Sequence, residues 1–226
     1  ETNEGYALAK ISGVRLARYY KEKYFTNIIC PMMCNIYGTN DNFNFGDSHV
    51  LSALIRRFVE AKEFKKKNVL LWGSGSPKRE FIHVSDAAKS LIFLMEKHNE
   101  VDPINVGSGY DLSIKDLAHK ISKIVGYTGE IDWDETKPDG VPRKLLDISK
   151  LNELGFKSVI GLDEGIKKTV EEFRDLKRKN PKIYFNNKYS KNSKNNADKK
   201  DVYNISNKNQ INKNYWYPLS LPTYDD

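Results

Sequence analysis

The 226-residue chain is polar for a globular protein, with 39% hydrophobic and 30% charged residues. Its net charge of +7 is uneven, because eleven Lys and Arg against five Asp from Asp175 onward leave only +1 for residues 1–174. The basic balance is therefore a property of the C-terminal segment and says little about the partners of the part that folds. No apolar run reaches the roughly 18 residues of a membrane span, so we expect no membrane partner.

Segments with helical and strand-like patterns alternate along most of the chain. Apolar periodicity predicts helices at residues 2–23, 50–64, 85–97, 113–125 and 162–177, and short apolar runs predict strands at residues 28–34, 69–72 and 103–106. This alternation indicates an α/β fold with parallel strand pairing. Pro31 has no amide hydrogen to donate to a neighbouring strand, so the first strand should be irregular there.

Local signals set several helix boundaries. Asn3 is a candidate N-cap for the first helix, and Ser85 for the third. Ser113, followed three residues later by Asp116, resembles a capping box, and Gly126 should end that helix. The residues expected to face inward are Ala7, Ile11, Val14, Leu16 and Ala17; Ala88, Leu91, Ile92 and Met95; Leu117, Ile121, Ile124 and Val125; and Ile166, Val170 and Phe173.

The two cysteines, Cys30 and Cys34, are expected to be free thiols. Four residues apart on one strand, their Cα atoms would be about 13 Å apart, beyond the roughly 7 Å that a disulfide allows. Free thiols fit a reducing compartment, so we expect a cytoplasmic location. No His lies nearby to complete a zinc site, and we expect no metal.

The character of the sequence changes at Asp175, after which Asn and Lys dominate. Such a segment cannot bury enough apolar surface to offset its ordering entropy, so residues 175–226 are predicted to be a disordered tail. The alternative is a basic binding module for nucleic acid, with lysines on phosphates and Tyr184, Phe185, Tyr189 and Tyr203 stacking on bases. Interspersed Asn and Asp dilute the charge and no recognition motif is present, which argues against that alternative.

Tyr6 and Lys10 form the first candidate for chemistry. On a helix these positions share a face, and a neighbouring ammonium stabilises a phenolate. Such a phenol can exchange a proton with a carbonyl oxygen while hydride moves. The spacing alone is weak, because Tyr19/Lys23 and Tyr184/Lys188 share it.

Further segments accompany this pair in a fixed order. Residues 35–38 (NIYG), 79–88 (REFIHVSDAA) and 104–109 (INVGSG) together resemble the extended short-chain dehydrogenase/reductase superfamily. Residues 41–50, 72–81 and 137–147 narrow the resemblance to the GDP-L-fucose synthase family. The resemblance covers the chain from Glu1 to about Phe173.

The resemblance implies an α/β fold with a remnant of the Rossmann cofactor domain at residues 1–48. A smaller α/β substrate-binding domain would occupy residues 49–174, ahead of the tail. The implied cofactor is NADPH, and the implied substrate is GDP-4-keto-6-deoxymannose, which the family epimerises at C3 and C5 and reduces at C4. A homodimer is the implied assembly.

The resemblance also implies catalytic and cofactor-binding residues. Tyr6 would donate the proton at C4 and Lys10 would bind the cofactor ribose. His49 would be the acid of the epimerisation, because imidazole titrates near neutrality; a loop His is otherwise commonly just solvated. The residues implied beside the nicotinamide are Met33, Cys34, Asn35 and Ile36, together with His49.

Four residues would hold the GDP part of the substrate: Arg57, Trp72, Arg79 and Asp139. Guanidinium groups suit pyrophosphate oxygens, and an indole face packs on a flat group. Each has an ordinary explanation by itself. Trp72 could be a core or rim aromatic, and Arg57 part of a solvated helix face. Arg79 could pair with Glu80 or Asp86, and Asp139 could be a turn residue.

Two departures from the family pattern qualify the resemblance. The Gly-rich phosphate loop and the catalytic Ser of the family precede the Tyr motif, and neither occurs in this sequence. Met33 stands where the family usually has Pro. We therefore expect the chain alone to bind NADPH poorly and to have no turnover. The nearest alternative is another nucleotide-sugar epimerase, dehydratase or reductase of the same superfamily.

Overall fold

The computed structural model describes residues 4–44 and 47–179. The helices within them are α1 (Glu4–Tyr24), α2 (Val50–Glu63), α3 (Val84–Lys97), α4 (Ile114–Val125), α5 (Ser149–Glu153) and α6 (Leu162–Lys179). The strands are β1 (Pro31–Met33), β2 (Asn35–Tyr37), β3 (Asn68–Trp72), β4 (Lys78–His83), β5 (Ile104–Val106), β6 (Asp111–Ser113), β7 (Glu130–Asp134) and β8 (Arg143–Lys144). The Asn3 cap and the tail beyond Lys179 lie outside the described residues.

Parallel pairing dominates the sheets, which confirms the predicted α/β class. The strand pairs β1–β5, β2–β4, β3–β7 and β4–β8 are parallel, whereas β4–β6 is antiparallel. The pair β3–β7 is the longest, running from Asn68↔Glu130 to Trp72↔Asp134. Strand β4 contacts three neighbours and is the centre of its sheet.

The strand predicted at residues 28–34 is β1 alone, and a second strand that was not predicted, β2, follows it and pairs with a different partner. Pro31 begins β1, whose neighbour is β5, and the chain passes to β4 from Asn35 onward. The change occurs at Cys34, whose amide still donates to the Val106 carbonyl at 3.0 Å. Pro31 at the strand start needs no ladder hydrogen bond, which explains its tolerance there.

The larger hydrophobic core lies between α2, α4, α6 and the strands beneath them. Phe58, Ile121 and Phe173 are completely buried in it. The inward residues predicted for α4 and α6 are confirmed, because Leu117, Val125, Ile166 and Val170 are also buried, with Ile124 packed at the edge of the core. A second cluster, which includes Ile82, Leu94, Ile104 and Leu151, joins α3 and α5 to β1 and β5.

The prediction for α3 was wrong in both its cap and its buried face. His83, rather than Ser85, is the N-cap, and its Nδ1 accepts a hydrogen bond from the Ser85 amide at 3.2 Å. The side chains that are buried are Asp86, Ala87, Ser90 and Leu94, whereas Ala88, Ile92 and Met95 are exposed. Strand β4 enters α3 without a loop, so the strand sets the rotation of the helix.

Helix α1 buries little of its predicted apolar stripe. Ala17 is its buried residue and Val14 is half-buried, while Ile11 and Leu16 are each 56% exposed. Ionic and polar contacts hold its C-terminal half, where Arg18 pairs with Asp102 at 2.5 Å. Other described residues therefore do not cover the apolar side chains on the outer face of α1. No described helix is long and apolar enough to cross a membrane.

Helix α6 continues to Lys179, which corrects the predicted start of the tail at Asp175. Two side chains of its last turns pack against the rest of the fold. Leu176 packs against the larger core, and the side chain of Lys177, which is 6% exposed, forms an ion pair with Glu63.

The capping box of α4 gives a direct test of this local structure. The Ser113 hydroxyl accepts from the Asp116 amide at 3.0 Å and donates to the Asp116 carboxylate at 2.6 Å. We expect Ser113→Ala to lower the free energy of unfolding by about 1 kcal/mol, because the amide loses its acceptor. Urea denaturation of the full chain measures it. Ser113→Asp keeps an acceptor and is the control; equal midpoints for the Ala variant and the wild type would contradict the assignment.

Candidate active site

A cleft of about 270 Å³ opens where β2 and β3 end and the loop before α2 begins. Ligand sites of α/β folds commonly lie at the carboxyl ends of parallel strands, as this cleft does. Its lining comes from five separate stretches of sequence. The residues are Asn35, Ile36, Tyr37, Asp41, His49, Val50, Leu51, Ser52, Trp72, Gly75, Pro77, Arg79, Phe81, Ile114, Pro138, Asp139 and Gly140.

Hydrogen bonds across the sheet fix the floor of the cleft. The Asn35 side-chain amide donates to the Glu80 carbonyl at 2.7 Å. Beyond β2, the Ser52 hydroxyl donates to the Asp41 carboxylate and ties the following loop to α2. The cleft wall is thus attached both to β4 and to the larger core.

His49 lies at the edge of the cleft, directly before α2. Its backbone is extended, with φ −66° and ψ 159°, and its side chain makes no capping hydrogen bond to the helix. The residue is exposed. An imidazole in this position is accessible to a ligand in the cleft.

Trp72 and Arg79 add an aromatic ring and a cation to the cleft lining. Trp72 ends β3, and the Lys137 ammonium lies 5.8 Å from its ring centroid. Arg79 is 7% exposed, and its guanidinium donates to the Lys78 and Val141 carbonyls at 2.8 and 2.6 Å. These bonds fix the plane of the guanidinium, which favours binding of an anion at a defined place.

Asp139 organises the Gly-rich turn after β3. Its carboxylate accepts from the Ser74 amide at 2.8 Å and from the Ser74 hydroxyl at 2.5 Å. The Ser74 hydroxyl, followed by the Ser74 amide and the Ser76 hydroxyl, lowers the pKa of Asp139 below its usual 3.8. Gly73, at φ +74°, lies so close to Asp139 that a Cβ there would collide with the carboxylate. Asp139 therefore shapes the loop beside Trp72.

Glu80 is a structural residue that sequence reasoning did not assign to the site. Its side chain is 1% exposed and accepts from the Gly109 amide at 2.6 Å and the Leu146 amide at 3.0 Å. It is thus engaged with backbone groups rather than acting as the surface partner of Arg79 that the sequence left possible. Because these contacts join residues 29 and 66 positions apart, no local sequence pattern predicts them.

The structure brings together four of the predicted site residues that come from separate motifs: His49, Trp72, Arg79 and Asp139. Asn35 and Ile36, predicted beside the nicotinamide, join them in the cleft wall. Each motif was weak by itself, so their convergence in one cleft is the informative result.

Five predicted residues do not line this cleft. Tyr6 and Lys10 are neighbours on α1, with the ammonium 5.4 Å from the phenol centroid, but both are exposed. Arg57 donates to the Leu70 carbonyl at 3.4 Å. Met33 and Cys34 pack against the second cluster. Burial, followed by the charge of Glu80, raises the pKa of Cys34 to about 12, so its thiol is neutral.

The described residues fit the reacting end of a dinucleotide rather than its phosphates. Asn35 and Ile36 offer a wall at the end of β2, and Lys10 offers an exposed ammonium one turn from Tyr6. A Gly-rich turn that leads from a strand into a helix N-terminus binds pyrophosphate, and residues 4–44 and 47–179 contain no such turn. Among those residues no group of His, Cys, Asp or Glu could hold a metal ion.

Comparison with known proteins identifies relatives of this chain. Residues 1–107 match the NAD dependent epimerase/dehydratase family. GDP-L-fucose synthase 1 of Arabidopsis thaliana is 45% identical over 170 residues, which are 75% of this chain and 53% of that protein. GDP-L-fucose synthase of Escherichia coli K12 is 45% identical over 181 residues, 76% of this chain and 56% of that protein. The chain is a relative of the GDP-L-fucose synthases within this family.

A solved structure of the family agrees with the fold. GDP-L-fucose synthetase from Naegleria fowleri bound to NADP superimposes with a TM-score of 0.71 and 28% identity, over 78% of this chain and 57% of that one. The chain spans about half the length of the curated relatives it matches, 53% and 56% for the two above.

The Asp139 contacts predict a pH-dependent loop. A depressed folded-state pKa means that the carboxylate stabilises the turn above the unfolded pKa of about 3.9, and that this effect is lost as pH falls through the lower folded value. At neutral pH, Asp139→Ala should speed hydrogen exchange of the Ser74 amide by about tenfold, because that amide loses its acceptor. Asp147→Asn, which alters a similar contact to Ser149 outside the cleft, is the control. Unchanged exchange in the Asp139 variant would show that the turn does not need this carboxylate.

Proposed function

We propose that this chain forms the substrate-binding part of an NADPH-dependent 3,5-epimerase and 4-reductase that converts GDP-4-keto-6-deoxy-D-mannose to GDP-L-fucose. The convergence of His49, Trp72, Arg79 and Asp139 in one cleft carries the proposal. The names of the relatives support the same reaction. The chain's own contribution is a site for the GDP-sugar.

Different residues of the cleft lining suit different parts of a GDP-sugar. The indole of Trp72 offers a flat apolar surface for the base, and Arg79 offers a fixed cation for the diphosphate. Asp139 holds the turn that borders Trp72, so it acts on the base-binding wall through Ser74. His49 also lines the cleft, and the sugar would be placed with its ring within reach of the imidazole.

The proton-transfer steps assign separate tasks to His49 and Tyr6. Epimerisation needs a base that takes a proton from the carbon on either side of the C4 ketone and an acid that returns a proton to the opposite face. The His49 imidazolium is the proposed acid, and the base would come from the part of the complete enzyme outside residues 1–226. NADPH, when bound, supplies the hydride that reduces C4. The Tyr6 hydroxyl donates its proton to the C4 oxygen, and the Lys10 ammonium stabilises the phenolate that remains.

The proposal extends to assembly and location. A homodimer of the complete enzyme is supported by the apolar side chains that α1 exposes, among them Leu8, Ile11 and Leu16, each 56% exposed. A cytoplasmic location is supported by the free thiols of Cys30 and Cys34, which suit a reducing compartment.

Binding of GDP to the full chain tests the proposed base site. Trp72→Ala should weaken GDP binding at least about fivefold, because stacking of a base on an aromatic side chain contributes about 1–3 kcal/mol. Isothermal titration calorimetry measures the change. Tyr110→Ala, which removes an exposed aromatic outside the cleft, is the control and should leave the Kd unchanged. A Trp72 variant that binds GDP as tightly as the wild type would place the base elsewhere.

Catalysis is tested by joining this chain to the preceding segment of its bacterial relative. We expect the joined enzyme to oxidise NADPH with GDP-4-keto-6-deoxymannose as substrate. Tyr6→Phe should lower kcat by about 10²–10⁴-fold, because the C4 oxygen loses its proton donor. Tyr19→Phe is a matched control, since Tyr19 lies on the same helix with Lys23 at the same spacing. Equal loss in both variants would contradict the role of Tyr6, while unaltered GDP binding would leave the base site intact.

A further inference from the structure

Three buried polar atoms next to the cleft have no hydrogen-bond partner among the described residues. They are the Tyr37 hydroxyl, Nε2 of His83 and Oδ1 of Asp86. Their residues are 2%, 3% and 1% exposed. A buried polar group without a partner costs about 1–3 kcal/mol, so three of them in one place call for a physical account.

These atoms belong to neighbouring positions of the fold. Tyr37 and His83 face each other in the β2–β4 register, and their rings meet edge to face with centroids 5.5 Å apart. His83 is the N-cap of α3, and Asp86 follows in the first turn of that helix. Asp86 is also the acid with the greatest electrostatic effect on both Tyr37 and His83.

The hydrogen-bonding state of each atom follows from its other contacts. His83 Nδ1 accepts from the Ser85 amide, and burial lowers the pKa of His83, so the ring is neutral and Nε2 carries the hydrogen. Burial, followed by the charge of Asp86, raises the pKa of Tyr37, so its hydroxyl keeps its proton. Asp86 Oδ2 already accepts from the Val159 and Ile160 amides at 2.8 Å, and Oδ1 remains an acceptor.

Two glycines border the polar tips of this cluster. A Cβ at Gly165, in the first turn of α6, would overlap the Tyr37 hydroxyl. A Cβ at Gly38 would lie 2.8 Å from His83 Nε2. The chain therefore has its smallest residue at two of the places where backbone approaches these groups.

We propose that Tyr37, His83 and Asp86 bind one internal water molecule. A water can accept from the His83 Nε2–H and from the Tyr37 hydroxyl while it donates to Asp86 Oδ1, which satisfies two donors and one acceptor at once. Internal waters typically make about three such bonds to otherwise unpaired buried groups. The water would join β2, β4 and the start of α3. Through Asp86 and the amides of Val159 and Ile160, it would also fasten the segment that leads into α6.

The site also bears on the cleft, because Tyr37 lines its floor beside Asn35 and Ile36. Removing the hydroxyl would leave the water with one donor fewer and loosen this part of the wall.

A crystal structure of the full wild-type chain at about 2 Å resolution or better tests the site directly. The expected result is one density peak within about 2.6–3.2 Å of the Tyr37 hydroxyl, His83 Nε2 and Asp86 Oδ1. Direct hydrogen bonds among the three side chains, or the absence of a peak in a well-defined map, would overturn the proposal.

A variant gives a second and independent measurement. Tyr37→Phe should lower the Tm of the full chain by about 3–6 °C, because the cluster loses one of its donors. Tyr110→Phe, at a residue that is 65% exposed, should leave the Tm unchanged. A Tyr37→Phe variant as stable as the wild type, or more stable, would mean that the hydroxyl has no bonded partner and would refute the water site.

Discussion

The buried carboxylate of Glu80 is the contact on which the arrangement of the cleft depends. It lies on β4, the central strand of its sheet, and accepts from the amides of Gly109 and Leu146 at 2.6 and 3.0 Å. Truncation of such an acid would leave two amides buried without an acceptor, a larger effect than loss of a surface ion pair. The residues on either side of Glu80 are Arg79 and Phe81, and both line the cleft. The carboxylate that joins β4 to the segments of Gly109 and Leu146 therefore also holds the strand that presents Arg79 to the cleft.

Polar groups in this chain perform positioning tasks at several levels. Asp139 holds the turn beside Trp72, Asp86 holds the segment before α6, and Asn35 joins β2 to β4. Each uses a side chain to satisfy backbone groups of a distant segment, which is how irregular loops become rigid enough to present ligand-binding residues. In contrast, the proposed catalytic pair is on α1, a helix with one buried residue among those described, Ala17. The described residues thus hold the cleft more firmly than they hold the proposed catalytic pair on α1.

The sequence predicted those elements whose signals are local. The ends of α4 follow from Ser113 and Gly126, and the buried face of α6 follows from its apolar period. The buried face of α3 was mispredicted, because its rotation is set by the direct junction with β4 rather than by its own apolar residues. Strand β2, directly after Cys34, was not predicted, because it is defined by its pairing with β4 rather than by a local apolar run. The contacts of Asp139 with Ser74, and of Glu80 with Leu146, join residues more than 60 positions apart and leave no pattern in sequence. Family resemblance supplied the cleft residues that periodicity could not.

The central claim is that the cleft binds a GDP-sugar. The most direct test is a titration of the isotope-labelled full chain with GDP-mannose, followed by amide and indole chemical shifts in NMR spectra. The account predicts saturable shifts at the Trp72 indole and at the amides of Asn35, Gly75 and Gly140, with small changes on α5 and on the exposed face of α3. Shifts that avoid the cleft, or a spectrum that GDP-mannose leaves unchanged at millimolar concentration, would contradict it.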